Sequence, residues 1–361
     1  MRSNYKQIGD YIKLVKERNS DLKATELLGI NIDKYFMPSV ANVVGTDLSR
    51  YKVVKQGQFA CNRMHVGRDY RIPVALSDNI KPFMVSPAYD VFEIVNTSVL
   101  APEYLMMWFS RKEFDRNAWF YTDADVRGGL SWDAFCNLQL PIPSIEKQRQ
   151  IVAEYNTVKN RIELNNQLIQ KLEETAQAIY KQWFVDEINM ENLPVDWNIG
   201  KLPDLLEVKY GKAYSHLEEG NIPLYGSGGL MGKVSKALYT KPSVLIPRKG
   251  TLSNVMFVNQ PFWCVDTMFY SIFKNESNGY YAFFILKQLD FDALNQGSAV
   301  PSMTTAFLKD IDVILPRQNI LNDFNNTIMK LFEHRENLEK ENQKLSELIV
   351  LLLSKLATIK N

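Results

Sequence analysis

"IVAEYNTVKNRIELNNQLIQKLEETAQAIYKQW", residues 151–183, steps through the chain by alternating intervals of four and three. The stepped residues are Ile151, Tyr155, Val158, Ile162, Asn165, Ile169, Leu172, Ala176, Ile179 and Trp183, and all but Asn165 are apolar. A sustained period of 3.5 predicts a helix with a coiled-coil seam. The spacing returns in "FNNTIMKLFEHRENLEKENQKLSELIVLLLSKL", residues 324–356. Here the series is Phe324, Ile328, Leu331, Arg335, Leu338, Asn342, Leu345, Ile349, Leu352 and Leu356. Seventeen of the 20 positions are apolar, where composition alone gives about nine. Two helices of about 50 Å, matched in length and phase, argue against two ordinary helices that each pack only on their own domain. Laid over each other without a gap, residues 130–184 and 303–357 share only six identities, so the pattern carries the repeat.

The polar exceptions predict a register. In an antiparallel pair, facing residues have numbers with a constant sum, and a sum of 507 sets every seam residue opposite another. It also sets Asn165 opposite Asn342, so that two buried amides can bond each other and fix the alignment. Arg335 then faces Leu172 and is expected to extend its head outward along its methylene stem.

The parallel continues upstream. "LQLPIP" (138–143) and "IDVILP" (311–316) both alternate and stop at Pro, as short strands leading into helices. "EYLMMWFSRKEFD" (103–115) and "YYAFFILKQLDFD" (280–292) both read as amphipathic helices. Between about 40 and 100, and between about 198 and 275, runs such as "YKVV", "VFEIV", "IPLYG", "SVLIP", "VMFV" and "MFYSIF" are broken by turn residues and predict strands. The expected fold is α+β: two α/β domains separated by two long helices in an antiparallel coiled coil, with a pseudo-twofold internal repeat. The expected segments are 1–143 (first globular domain), 144–186 (first long helix), 187–316 (second globular domain with its leading linker) and 317–361 (second long helix).

Net charge is +1, so only local charge can point to a polyanionic partner. Three widely spaced cysteines, Cys61, Cys136 and Cys264, read as reduced thiols. The longest apolar run, "LIVLLL", is far too short to cross a bilayer. With no apolar segment after Met1, a cytoplasmic protein without a membrane partner is expected. Catalytic motifs are scarce. Cys61 and His65 have a ligand-like spacing but no second pair, no H-E-x-x-H occurs, and "YGSGGLMG" (225–232) matches neither a dinucleotide loop nor a nucleophile elbow. The expectation is a binding protein with no metal or cofactor of its own. A scaffold whose helices organise partners without touching nucleic acid is the alternative.

Two basic stretches occupy similar places in the two copies. Residues 50–71 hold Arg50, Lys52, Lys55, Arg63, Arg68 and Arg71 against one acid, Asp69. Residues 220–265 hold Lys233, Lys236, Lys241, Arg248 and Lys249 and no acid. Basic residues interleaved with aromatic and small polar ones suit phosphate contact and base-edge reading. The candidates are Arg63, His65, Arg68, Arg71 and Arg127 in the first copy. In the second they are Tyr225, Ser227, Lys233, Arg248 and Lys249.

The chain resembles the specificity subunits of type I restriction–modification systems. The resemblance lies in "LQLPIPSIEKQRQIVAEYNTVKNRIELNNQLIQKLEETAQAIYKQWF" (138–184), "IPLYGSGGLMG" (222–232) and "SVLIPRKGTLSNVMF…FWCVDTMFY" (243–270), and in the alternation of globular part and long helix. It implies that each globular part is a target-recognition domain reading one half of a bipartite site in double-stranded DNA. It also implies a helical spacer, two methyltransferase subunits along the helices, and restriction subunits joining that complex. S-adenosylmethionine, ATP and Mg would then bind those partners. The first domain lacks a clear counterpart of "YGSGGLMG", so its DNA-facing residues map poorly.

Overall fold

The computed structural model describes residues 5–41, 43–64, 66–122, 128–186, 188–189, 192–289 and 302–359. The chain forms two compact units, Met1–Leu164 with Glu341–Asn361, and Asn165–Lys340. Each unit therefore combines one globular part with a stretch of both long helices, a division that cuts across the four segments expected from sequence.

In the first unit the strands are β1 (Tyr5–Gln7), β2 (Ile12–Val15), β3 (Leu28–Ile30), β4 (Phe36–Pro38), β5 (Lys52–Val54), β6 (Phe59–Cys61), β7 (Val74–Leu76), β8 (Phe83–Val85), β9 (Asp90–Ile94) and β10 (Gln139–Pro141). The main sheet has the order β2-β9-β6-β7, every neighbour antiparallel. One face carries Phe59 and Phe92, stacked at 5.0 Å, and Phe109 meets both edge-on. β1 and β10 pair antiparallel at the foot of the first long helix.

The second unit holds β11 (Asn198–Lys201), β12 (Leu206–Tyr210), β13 (Ile222–Gly226), β14 (Gly229–Val234), β15 (Ser243–Pro247), β16 (Met256–Val258), β17 (Trp263–Cys264), β18 (Met268–Phe273) and β19 (Asp312–Leu315). Its main sheet, β12-β18-β15-β16, is again antiparallel throughout. β11 and β19 pair as β1 and β10 do. The repeat inferred from helix spacing is thus also a repeat of sheet order and strand direction. The six runs read as strands all form strands.

A smaller sheet completes each unit. In the second, the β13–β14 hairpin pairs with β17 through parallel β13–β17 contacts. In the first, the β3–β4 hairpin touches β8 through a parallel Leu27–Met84 bridge. The first unit therefore does have a topological counterpart of the glycine-rich hairpin. Its connection is Asn31–Tyr35, which contains no glycine and so left no trace in the sequence pattern.

The first long helix runs Ile145–Lys181 and ends in a π turn, Gln182–Asp186. The second runs Gln318–Lys355, followed by a short 3-10 turn. None of the 20 seam residues is exposed: Asn165, Ala176, Phe324, Ile328, Leu338 and Leu356 are buried, and the rest half-buried. Within the second unit, Glu173 meets Arg335 at 3.3 Å, while the Trp183 and Phe324 rings lie 5.8 Å apart. Within the first, Arg161 binds Glu341, and Ile151 packs in the same cluster as Leu356. The two stretches in each unit run antiparallel. Asn165 and Asn342 fall in different units, and their pairing stays an expectation from the sequence.

Two expectations are corrected. The segment 103–115 is two helices, Pro102–Phe109 and Lys112–Phe120, with extended backbone at Arg111 between them. The break falls at the polar run Ser110–Glu113, where Arg111 lays its guanidinium 4.2 Å from the Trp108 ring. The Arg335 head does not reach outward. It is mostly covered, 4.5 Å over the Phe332 ring and paired with Glu173 and Glu339.

Candidate nucleic-acid interface

The strand order of the second unit gathers four loops at one edge. β12 and β15 both run antiparallel to β18, so Tyr210 and Pro247 end beside the start of β18. β13 and β17 run parallel and end at Gly226 and Cys264. The loops that follow these strands carry "GKAYSH" (211–216), the hairpin tip, "RKGTLSN" (248–254) and "VDT" (265–267).

Their contacts are specific. Asn254 Nδ2 donates to the Ser227 carbonyl at 2.9 Å, and Val265 N donates to the Tyr225 carbonyl at 3.0 Å. Gly250 has φ +85, and a Cβ there would lie 2.8 Å from Ser227 Oγ. Only glycine fits that approach, so "RKG" can rest against the hairpin. Arg248 lies 5.5 Å over the exposed Tyr210 ring and donates to the Asp266 carbonyl at 3.1 Å. Lys249 is exposed and bridges to Ser302 through its backbone. Burial raises the Tyr225 hydroxyl above the ordinary phenol range, so it stays a protonated donor and acceptor near Gln260. Lys233 is exposed on β14.

The structure therefore brings Tyr225, Ser227, Arg248 and Lys249 together on one rim, with Lys233 further along the hairpin. It adds residues that sequence reading missed: Tyr210, Lys212, Tyr214 and His216, all exposed. Their signal was present as alternating basic and aromatic residues in "KYGKAYSH", 209–216, just outside the acid-free stretch.

The first unit is different. His65 and Arg127 lie outside the described residues. Arg63 binds Asp90 at 2.6 Å, donates to the Leu130 carbonyl and lies 5.5 Å over the Trp132 ring. Arg68 grips Asp69 through two hydrogen bonds, and Arg71 binds Asp33 at 2.9 Å. Lys52 and Lys55 pair with Asp90 and Glu17. By contrast, none of Lys233, Lys236, Lys241, Arg248 and Lys249 forms an ion pair with a carboxylate among the described residues. Lys52, Lys55, Arg63, Arg68 and Arg71 of the first basic stretch are paired by folding, and the five cations of the second are not. Arg63→Ala is accordingly expected to cost about 1.5–3 kcal/mol of stability in chemical denaturation, as a charge-assisted clasp does. It should leave the salt dependence of any nucleic-acid binding unchanged.

Comparison with known proteins finds similar chains. A family model described as "Type I restriction modification DNA specificity domain" matches residues 194–349. The chain is 28% identical over 158 residues to the Type I restriction enzyme HindI specificity subunit of Haemophilus influenzae, covering 43% of this chain and 33% of that one. The matched stretch is thus about a third of that relative's length. The chain is 23% identical over 310 residues to the Type I restriction enzyme MjaIX specificity subunit of Methanocaldococcus jannaschii, covering 73% and 70%. Among solved structures, the S subunit of a type I restriction–modification system from M. genitalium superposes with a TM-score of 0.63, at 18% identity, over 99% of this chain and 96% of that one.

Proposed function

We propose that the chain, whose residues 194–349 match the type I restriction–modification DNA specificity model and which is similar to two specificity subunits, belongs to that family and is the DNA-reading subunit of a type I restriction–modification complex. Each unit reads one half of a bipartite duplex site. The long helices set the distance between halves and carry two methyltransferase subunits, which restriction subunits join. The chain supplies recognition and no chemistry of its own, and S-adenosylmethionine, ATP and Mg bind the partners. It works in the cytoplasm, where its DNA is.

The observation that carries this reading is the uncompensated rim of the second unit. A cationic edge whose lysines and arginine form no ion pair among the described residues attracts phosphates by releasing their counterions. Glycine and serine at the same edge let backbone approach the duplex, and Tyr225, Ser227 and Arg248 offer donors and acceptors to base edges. Helices of 37 and 38 residues are each about 56 Å long, which corresponds to about 16 base pairs, enough to serve two major grooves about one turn apart.

Methylation-site mapping in cells carrying this chain and its methyltransferase should return a bipartite motif. Exchanging residues 198–300 for those of a relative should change one half only. An unchanged methylation pattern overturns the proposal. Arg248→Ala and Lys249→Ala in the assembled complex should each weaken binding to all duplexes and lower the slope of log affinity against log salt by about one.

A further inference from the structure

We infer that the β13–β14 hairpin enters the major groove and reads thymine methyl groups, so that the half-site of the second unit contains A·T pairs contacted through apolar side chains. This rests on the DNA-reading function proposed above and names what one element of that rim recognises.

The outer side of the hairpin tip is open. Ser227 and Gly228 form its tip between the paired Gly226 and Gly229. A Cβ on Gly228, Gly229 or Gly232 would meet no atom within 4 Å. β14 is an edge strand, bonded to β13 alone. The β13–β14 register shifts at this point, with Tyr225 facing Leu230 and Leu224 facing Gly232, so Met231 is the extra residue of a bulge. Leu230 and Met231 are 62% and 54% exposed, and the Met231 thioether lies over Gly226. Two large apolar residues on a bare edge strand are an association hazard that proteins normally remove. Their retention calls for a covered state.

The surroundings select the occupant. Lys233 and Lys236 follow on the same strand and its exit, and Lys249 lies beside the tip, with no carboxylate in residues 220–265. A cationic ribbon suits a polyanion. A two-stranded ribbon fits the major groove, where the thymine C5 methyl is the one apolar feature that distinguishes a base pair. Leu and Met bind such a methyl through burial, without a hydrogen bond. The two hairpins then differ in kind, because the corresponding tip of the first unit presents Tyr35 and ties down its neighbour Lys34 in a buried ion pair.

The test uses the assembled complex and duplexes carrying the mapped methylation motif, with each thymine replaced in turn by uracil. That change removes only the methyl. For the wild-type complex, at least one replacement in the half-site of the second unit should weaken binding about three- to fivefold, the effect of one buried methyl-sized group. With Leu230→Ala and Met231→Ala together, the thymine and uracil duplexes should bind equally, at the weaker level. Thermal unfolding of the variant should match wild type, because the tip has few neighbours to lose. Insensitivity to uracil at every position, or a half-site without thymine, overturns the inference and leaves the DNA-reading function intact. A variant that keeps full duplex affinity but loses its methyltransferase partner also overturns it, showing that the apolar tip docks protein. Failure of the wild-type complex to bind any duplex in a salt-dependent way overturns the underlying function instead.

Discussion

Asp115→Leu is expected to destabilise the first unit by about 3–5 kcal/mol, the cost of leaving a buried charge without its partner. Lys34 and Asp115 meet at 2.6 Å with 4% and 9% of their side chains exposed. Lys34 Nζ also donates to the Phe109 carbonyl at 2.7 Å, and Asp115 accepts from Ile72 N at 3.1 Å. Lys34 has φ +72 in the β3–β4 connection, so a strained backbone position is held by the pair. The pair fastens that hairpin to the helix Lys112–Phe120. Burial pulls the Lys34 ammonium below the ordinary lysine range, and Asp115 opposes the shift. Once Asp115 is gone, only the depression remains. The folded state then holds fewer protons than the unfolded state between the lowered value and the unfolded value near 10.4, so stability should rise with pH through that window. Lys34→Met combined with Asp115→Leu should recover most of the loss, since apolar replacement of both partners is often neutral. Urea unfolding of the three variants between pH 7 and pH 10 checks all of this. An Asp115→Leu deficit that grows with pH would overturn the account.

The same pair shows what a linear reading can and cannot see. Strands and long helices were legible because burial imposes periods of 2 and 3.5 directly on the chain. Ile246 and Phe269 point into the core from neighbouring strands whatever lies elsewhere. Charge is not periodic in that way. Residues 50–71 contain one acid, yet folding brings Glu17, Asp33 and Asp90 to their lysines and arginines. The basic stretch of the first domain is thereby absorbed into structure. Asp115 lies 81 residues from Lys34, and a lysine between Asp33 and Tyr35 reads as an exposed turn. The second domain was more legible because the five cations of residues 220–265 form no ion pair among the described residues, so the sequence count and the folded charge of that stretch agree. The helix break at Arg111 was not read because the apolar spacing resumes at Phe114 after the polar run Ser110–Glu113.

Phe324→Ala is expected to destabilise the second unit by about 3–5 kcal/mol, with Phe324→Leu costing clearly less. Phe324 is fully buried. Its ring lies 4.9 Å from Phe184, 5.8 Å from Trp183, 6.3 Å from Tyr180 and 6.1 Å from Phe284. Those partners belong to the first long helix with its π turn and to the core helix Gly279–Lys287. One side chain thus joins both long helices to the domain core. Removing it deletes several edge-to-face and tilted aromatic contacts, each worth about 0.5–1.5 kcal/mol beyond burial, and leaves a cavity that stiff neighbouring rings cannot fill. Leucine restores part of the volume without the ring geometry. At the corresponding position of the first unit the seam residue is Ile151, which packs in the same cluster as Leu356 and has no ring of its own to set among its neighbours. Leu356→Ala should therefore cost less, about 2–4 kcal/mol. If the spacing between half-sites depends on this knot, Phe324→Ala will bind bipartite duplexes with one base pair more or less in the spacer nearly as well as the native length, while Phe324→Leu keeps the native preference. Equal spacer discrimination by both variants would show that the knot supports the second unit alone and that the helix pair keeps its length without it.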